Sequence, residues 1–315
     1  MDILLLLGGL VLLVAAGEIL VRGAAGLALK ANISPMMVGL TVVSIGTSAP
    51  ELFASVRAAL EGNPGLAVGN VVGSNIANLA LVLGITAMIR PIGVTKSLLK
   101  FDGPIMVFAT LIFIAFAWNL ELSSLEGIIL VSLLIAFIGS LIYRSRKEKK
   151  EQDELESDVE DLVEYQSKGY PLLLGLIVAG CIGLYFGSEW FIEGARNIAS
   201  SMGVSDYIIG VTVVAFGTSV PELVASAIAA MRNQADLSIG NLIGSNIFNI
   251  FSVVGITSIV SPLPVNKDLM GLDIWWMLGI AIIIFPIMRS GFKVSRWQGL
   301  FMVLLYISYI FTVLL

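Results

Sequence analysis

The sequence predicts an all-α integral membrane protein of ten transmembrane helices, built as two inverted-topology five-helix repeats with broken helices at the centre. Three observations carry that prediction. The 315 residues are 57% hydrophobic and only 13% charged, about half the charged share of an ordinary soluble domain. Apolar stretches recur along the chain, most of them near the roughly 20 residues a helix needs to cross a bilayer. Long blocks of the chain also match other blocks of the same chain at one fixed offset. The composition excludes some chemistry as well. With no His and a single Cys181, zinc sites and His general bases lose their usual residues, and no intramolecular disulfide can close.

In order, the first five apolar stretches fall near 2–22, 34–56, 66–89, 102–118 and 124–143. Ile3 to Val21 sits where a signal peptide would, but it lacks a basic leading region and a small-residue cleavage site and is long enough to span. It reads as a helix. The segment 144–169 follows, with nine acids and six bases. It reads as a charged, solvated linker, since its acids have neither the spacing nor the turn glycine of a calcium-binding loop. A second set of stretches follows near 171–193, 205–230, 237–260, 271–289 and 297–315. The organisation is therefore a repeat over 1–143, the linker over 144–169, and a second repeat over 170–315.

Ten spans alternate the loops between two sides, and the basic residues divide unequally. Arg22, Lys30, Arg90, Lys96, Lys100, the six linker bases, Arg232, Arg289, Lys293 and Arg296 share one side, against Arg57, Arg196 and Lys267 on the other. Basic loops stay in the cytoplasm. The expectation is a multi-pass protein of the cell membrane with the linker in the cytoplasm and both termini outside.

At an offset of 171 residues, GLTVVSIGTSAPELFAS (39–55) faces GVTVVAFGTSVPELVAS (210–226) with 12 of 17 positions identical. LAVGNVVGSNIANLALVLGIT (66–86) faces LSIGNLIGSNIFNIFSVVGIT (237–257) with 12 of 21 identical. The register also pairs Glu18 with Glu189, Pro91 with Pro262 and Lys96 with Lys267, so the repeat is a whole five-helix half. Because five is odd, the second half enters the membrane from the opposite face, an arrangement used by many secondary transporters.

Glu51 and Glu222 lie inside apolar spans, where an ionised carboxylate is costly unless paired or solvated, and those spans, near 34–56 and 205–230, contain no Lys or Arg. Compensation must come as a proton or a metal cation. Pro50 and Pro221 precede them, and a proline removes a helix hydrogen bond to the carbonyl four residues back, here Gly46 and Gly217. Thr47, Ser48, Thr218 and Ser219 add hydroxyls beside those carbonyls. Unwound backbone at membrane depth is tolerated where it lines a cavity or is buried in protein, so each GTSxPE reads as a broken helix converging on a cation. Asn70, Ser74 and Asn78, like Asn241, Ser245 and Asn249, repeat every four residues and form one polar stripe on a helix. The glycines of GNxxG pack helices closely. Glu18, with Arg22 four residues on, reads as a structural pair. The donors are all hard oxygen, which suits Ca²⁺ or Na⁺ over zinc or copper.

The doubled GTSxPE and GNxxGSNIxN blocks resemble the alpha repeats of the cation/calcium exchanger superfamily, most closely its prokaryotic sodium/calcium exchangers. The resemblance implies antiport of about three Na⁺ for one Ca²⁺ by alternating access, electrogenic because two carboxylates leave one charge over. It implies that Glu51 and Glu222 hold Ca²⁺ and share Na⁺, with backbone carbonyls from Thr47 and Thr218. It further implies flanking Na⁺ sites from Ser48, Ser74, Ser219 and Ser245 with the backbone of Ser44 and Ala215, and a central position lined by Asn78 and Asn249. Some relatives carry Asp where this chain has Asn249, which removes one charge from the centre. Ca²⁺ and Na⁺ are then substrates, with no cofactor, no nucleic acid and no obligate protein partner, and the short linker leaves no room for a calcium-binding regulatory domain. A Ca²⁺/H⁺ antiporter using the same two glutamates is the alternative. Enzymatic readings fare worse: an intramembrane protease needs a base or an aspartate pair, and the chain has no His and no Asp near a span centre.

Overall fold

The computed structural model describes residues 1–148, 169–203 and 215–314. The helices are α1 (Asp2–Ala31), α2 (Pro35–Thr47), α3 (Ala49–Leu60), α4 (Pro64–Ile89), α5 (Leu98–Ala117) and α6 (Ser124–Glu148). The second half gives α7 (Tyr170–Ser201), α8 (Ala215–Thr218), α9 (Val220–Met231), α10 (Ala235–Val260), α11 (Leu269–Arg289) and α12 (Arg296–Leu314). Among the described residues eight helices are long and apolar enough to cross a membrane, nine when the bent pair α2 and α3 counts as one span. The remaining expected span, 205–230, falls on α8, on the short α9 and on 204–214, which lie outside the described residues. Most of the linker, 149–168, lies outside them too.

α1 runs nine residues past the expected end near 22, and α7 past 193, because their small residues pack on each other. A Cβ on Gly9 would meet the Phe191 backbone at 2.5 Å, one on Gly180 the Leu20 backbone at 2.8 Å, and one on Gly23 the Ile177 backbone at 3.1 Å. Partners fall in number on one helix as they rise on the other, so α1 and α7 are antiparallel. Only glycine permits so close an approach.

The two halves share their local geometry. α3 and α9 start and end at positions 171 apart, as do the π-helical turns 98–102 and 269–273. Left-handed backbone recurs at Asn32 and Gly203, Gly62 and Asn233, and Leu120 and Gly291, each pair in the same register. Four two-residue strands, β1 (Ile92–Gly93), β2 (Glu121–Leu122), β3 (Leu263–Pro264) and β4 (Lys293–Val294), join the halves. β1 pairs antiparallel with β4 and β2 with β3, so each ladder ties a turn of one half to a turn of the other.

α4 and α10 are the enclosed spans, 72% and 83% buried, whereas the other full-length spans are 22–44% buried. Their polar stripes therefore face protein, and lipid meets the apolar outer helices.

Candidate cation site

The site forms where α2 meets α3 and α8 meets α9. Ser48 breaks the first pair, with φ −88° and ψ 2°, and the two helices diverge by 41°. Ser219 breaks the second with φ −90° and ψ 3°. Pro50 and Pro221 stand in the first turn of α3 and α9, where a missing N–H costs nothing. Each Glu follows its proline directly and lies in the first turn of its helix, where the aligned peptide dipoles favour negative charge.

Both glutamates are completely buried, as are Ser44, Thr47, Asn78, Ser219, Ser245 and Asn249, with Ser74 and Ser48 nearly so. Among the described residues neither carboxylate oxygen of Glu51 has a hydrogen-bond partner. Glu222 Oε1 accepts from Ser48 Oγ at 3.2 Å, across the two halves, and its Oε2 has no partner. The side-chain oxygens of Ser74, Ser219, Asn78 and Asn249 are likewise buried without partners. Native proteins rarely leave such groups unpaired, and each one costs about 1–3 kcal/mol. Their concentration at two buried carboxylates gives a set of hard oxygens with two formal negative charges and, among the described residues, no basic side chain paired to either. Among the described residues no three of His, Cys, Asp or Glu come together, so neutral oxygens must complete any cation shell.

One of the expectations needs correction. The Gly217 carbonyl is not left free by Pro221, because Ser188 Oγ donates to it at 2.9 Å. The stripe residues Asn70 and Asn241 also serve helix packing, donating to Ser55 Oγ at 3.1 Å and to Ser226 Oγ at 2.9 Å. The Ser44 carbonyl accepts from Ser48 N–H at 2.9 Å, which leaves it one lone pair for a cation. Ala215 opens the short helix α8.

The described surroundings of the two threonines differ. Thr47 Oγ1 is closed against α10, donating to Asn241 Oδ1 at 3.1 Å and lying 3.4 Å from Ser245 Oγ. Its counterpart Thr218 lines a cavity of about 560 Å³ that also touches Asn70 and Gly73 and runs out to exposed Gly65 and Leu66.

Sequence reasoning missed several buried polar residues. Asn75 donates to the Asn246 carbonyl at 3.3 Å, tying α4 to α10 near the centre. Thr86 and Thr257 carry buried hydroxyls without partners. Asp102 and Asp273 stand at the ends of matching π-helical turns. All three pairs are identical residues 171 apart, a signal that could have found them.

The family model described as sodium/calcium exchanger protein matches residues 1–143 and 172–315. The putative antiporter CaxA of Alkalimonas amylolytica is 36% identical over 96% of this chain and 95% of its own. The sodium/calcium exchanger MaX1 of Methanosarcina acetivorans is 33% identical, covering 98% of this chain and 97% of its own. Among solved structures, a form of the sodium-calcium exchanger NCX_Mj superposes with a TM-score of 0.82 at 33% identity, covering 98% of this chain and 99% of that one.

Proposed function

This chain belongs to the sodium/calcium exchanger protein family, and we propose that it is an antiporter exchanging about three Na⁺ for one Ca²⁺ by alternating access, with one charge moved per cycle. The observation that carries the proposal is the pair of wholly buried carboxylates, Glu51 and Glu222, three of whose four oxygens have no hydrogen-bond partner among the described residues. Two carboxylates balance one Ca²⁺, and neutral oxygens complete its shell.

In this reading Glu51 and Glu222 bind Ca²⁺ and share Na⁺, with the carbonyls of Thr47 and Thr218. Ser48, Ser74, Ser219 and Ser245, with the backbone of Ser44 and Ala215, hold the flanking Na⁺ ions. Asn78 and Asn249 line the central position. The partnerless hydroxyls of Ser74 and Ser219 support Na⁺ as the coupling ion, since a purely proton-coupled exchanger has no use for them.

The architecture proposed is ten spans in two inverted halves. Antiparallel packing of the equivalent helices α1 and α7 supports it, as do strand ladders that exchange partners between halves. With the linker in the cytoplasm and both termini outside, the large cavity opens outward, and the Thr47 contacts with α10 close the inner path. Exchange of these two arrangements between the halves is the alternating step.

The test is radioactive Ca²⁺ uptake into proteoliposomes loaded with Na⁺, with choline, or under an imposed pH gradient. The proposal predicts uptake that needs internal Na⁺ and grows with a potential that favours outward positive charge. Uptake driven by the pH gradient alone would overturn it in favour of Ca²⁺/H⁺ exchange by the same glutamates.

A further inference from the structure

We propose that the large cavity holds a second, weaker divalent-cation station centred on Asp273, occupied on the way to the central site. This rests on reading the central site as the Ca²⁺ site. The cavity lies between α3, α4, α11 and α12, and among the described residues its polar lining is Ser55, Asn70, Thr218, Asp273, Tyr306 and Tyr309, with no Lys or Arg. Thr218, which that reading places in the central site, stands in the cavity wall. Asp273 Oδ1 is buried without a hydrogen-bond partner, while the Tyr309 hydroxyl bonds its carboxylate. Tyr309 is itself held edge-on by Trp276, with ring centroids 6.0 Å apart.

The other half shows what a purely structural aspartate looks like at this position. Asp102, 171 residues earlier, is ion-paired with Arg144 at 2.5 Å, and that guanidinium lies over the Phe101 ring at 5.2 Å. In the 171-residue register the match of Arg144 is Leu315, which carries no charge. The cavity on the Asp102 side is also smaller, about 240 Å³, and has Arg144 in its wall. One repeat therefore neutralises its aspartate with a fixed cation, and the other turns the same residue onto a roomy passage.

The ligand chemistry is that of a hard divalent ion that keeps part of its water shell. One carboxylate and neutral oxygens of Asn70, Ser55 and the tyrosines are too few for full dehydration. Such a station raises the cation concentration at the mouth of the passage through its charge, an effect that salt screens.

Tb³⁺, a Ca²⁺ surrogate excited through nearby tyrosine and tryptophan rings, reports the station directly. The background is the full chain carrying Glu51→Gln and Glu222→Gln, so the central carboxylates contribute nothing. Saturable emission competed by Ca²⁺ is expected in that protein, falling about fivefold or more when Asp273→Asn is added and retained in Asp273→Glu. Asp273→Ser serves the same comparison where the Asn protein is not recovered. Emission indifferent to Asp273, or absent from the double Gln protein, overturns the proposal. In the otherwise unchanged chain, Asp273→Asn should raise the Ca²⁺ KM on the cavity face about threefold to tenfold at low ionic strength, converging with wild type in high salt; an unchanged KM there also overturns it. Ca²⁺ exchange surviving in the double Gln protein would instead refute the central-site reading, whatever the emission shows.

Discussion

Replacing Glu51 with glutamine removes one of two buried charges while keeping shape and volume. Neither oxygen of Glu51 has a donor among the described residues and the side chain is 0% exposed, so its ionised form depends on a bound cation. A unit charge about 4 Å from another interacts by about 4 kcal/mol at an effective dielectric of 20, so a divalent ion loses about 8 kcal/mol of attraction. Part of that is offset, because the ion-free protein no longer buries a carboxylate, a relief of several kcal/mol. If about half survives the offset, the affinity falls by about a thousandfold. Glu222→Gln should cost slightly less, because Ser48 Oγ already supports that carboxylate. The assay is equilibrium binding of radioactive Ca²⁺ to purified protein, with thermal unfolding followed in the presence and absence of Ca²⁺. Ca²⁺ should raise the melting temperature of wild type and leave both variants unmoved, while the ion-free melting temperatures stay alike or rise in the variants. Binding within tenfold of wild type in either variant would refute the reasoning, as would gross loss of the folded protein.

Three other perturbations read separate parts of the structure. Gly180→Leu places a side chain where even a Cβ would lie 2.8 Å from the Leu20 backbone, so α1 and α7 must separate, at about 1–3 kcal/mol or more; a fall in melting temperature in detergent checks this, and Gly175→Leu, with open space around it, should be silent. Arg144→Leu strands Asp102, whose side chain is only 3% exposed, and should destabilise by about 3 kcal/mol, with Asp102→Asn restoring much of the loss in a double-mutant cycle. Ser188→Ala removes the donor to the Gly217 carbonyl and should cost about 1 kcal/mol, read by chemical or thermal denaturation, while leaving Ca²⁺ binding at the two glutamates in place.

What could be read from the sequence was whatever the repeat states twice. Glu51 and Glu222 each stand out as a charge in an apolar run, and their prolines and GTS flanks mark a break that the structure has at Ser48 and Ser219. The helix ends were less legible, because α1 continues past 22 through Gly23 to Ala31 while packing on α7, a partner some 150 residues away. Similarly, Asn70 reads as one more oxygen on a polar stripe until Ser55 is seen to take its amide proton. The difference between the halves was least legible of all. Asp102 and Asp273 are the same residue in the same register, and only three-dimensional proximity shows that Arg144 pairs with one while a cavity meets the other. Repetition marks residues that both halves need; departures from symmetry, which decide where the protein is open and where it is closed, reside in contacts between distant segments.

The claim that Glu51 and Glu222 form one shared site for competing cations is tested most directly by equilibrium Ca²⁺ binding to the purified protein during titration with Na⁺. The account predicts one tightly bound Ca²⁺ per chain, displaced by Na⁺ with a Hill coefficient above one because several Na⁺ replace it, and no tight binding in either Gln variant. Two independent tight Ca²⁺ ions per chain, or binding that ignores Na⁺ and yields only to protons, would contradict it.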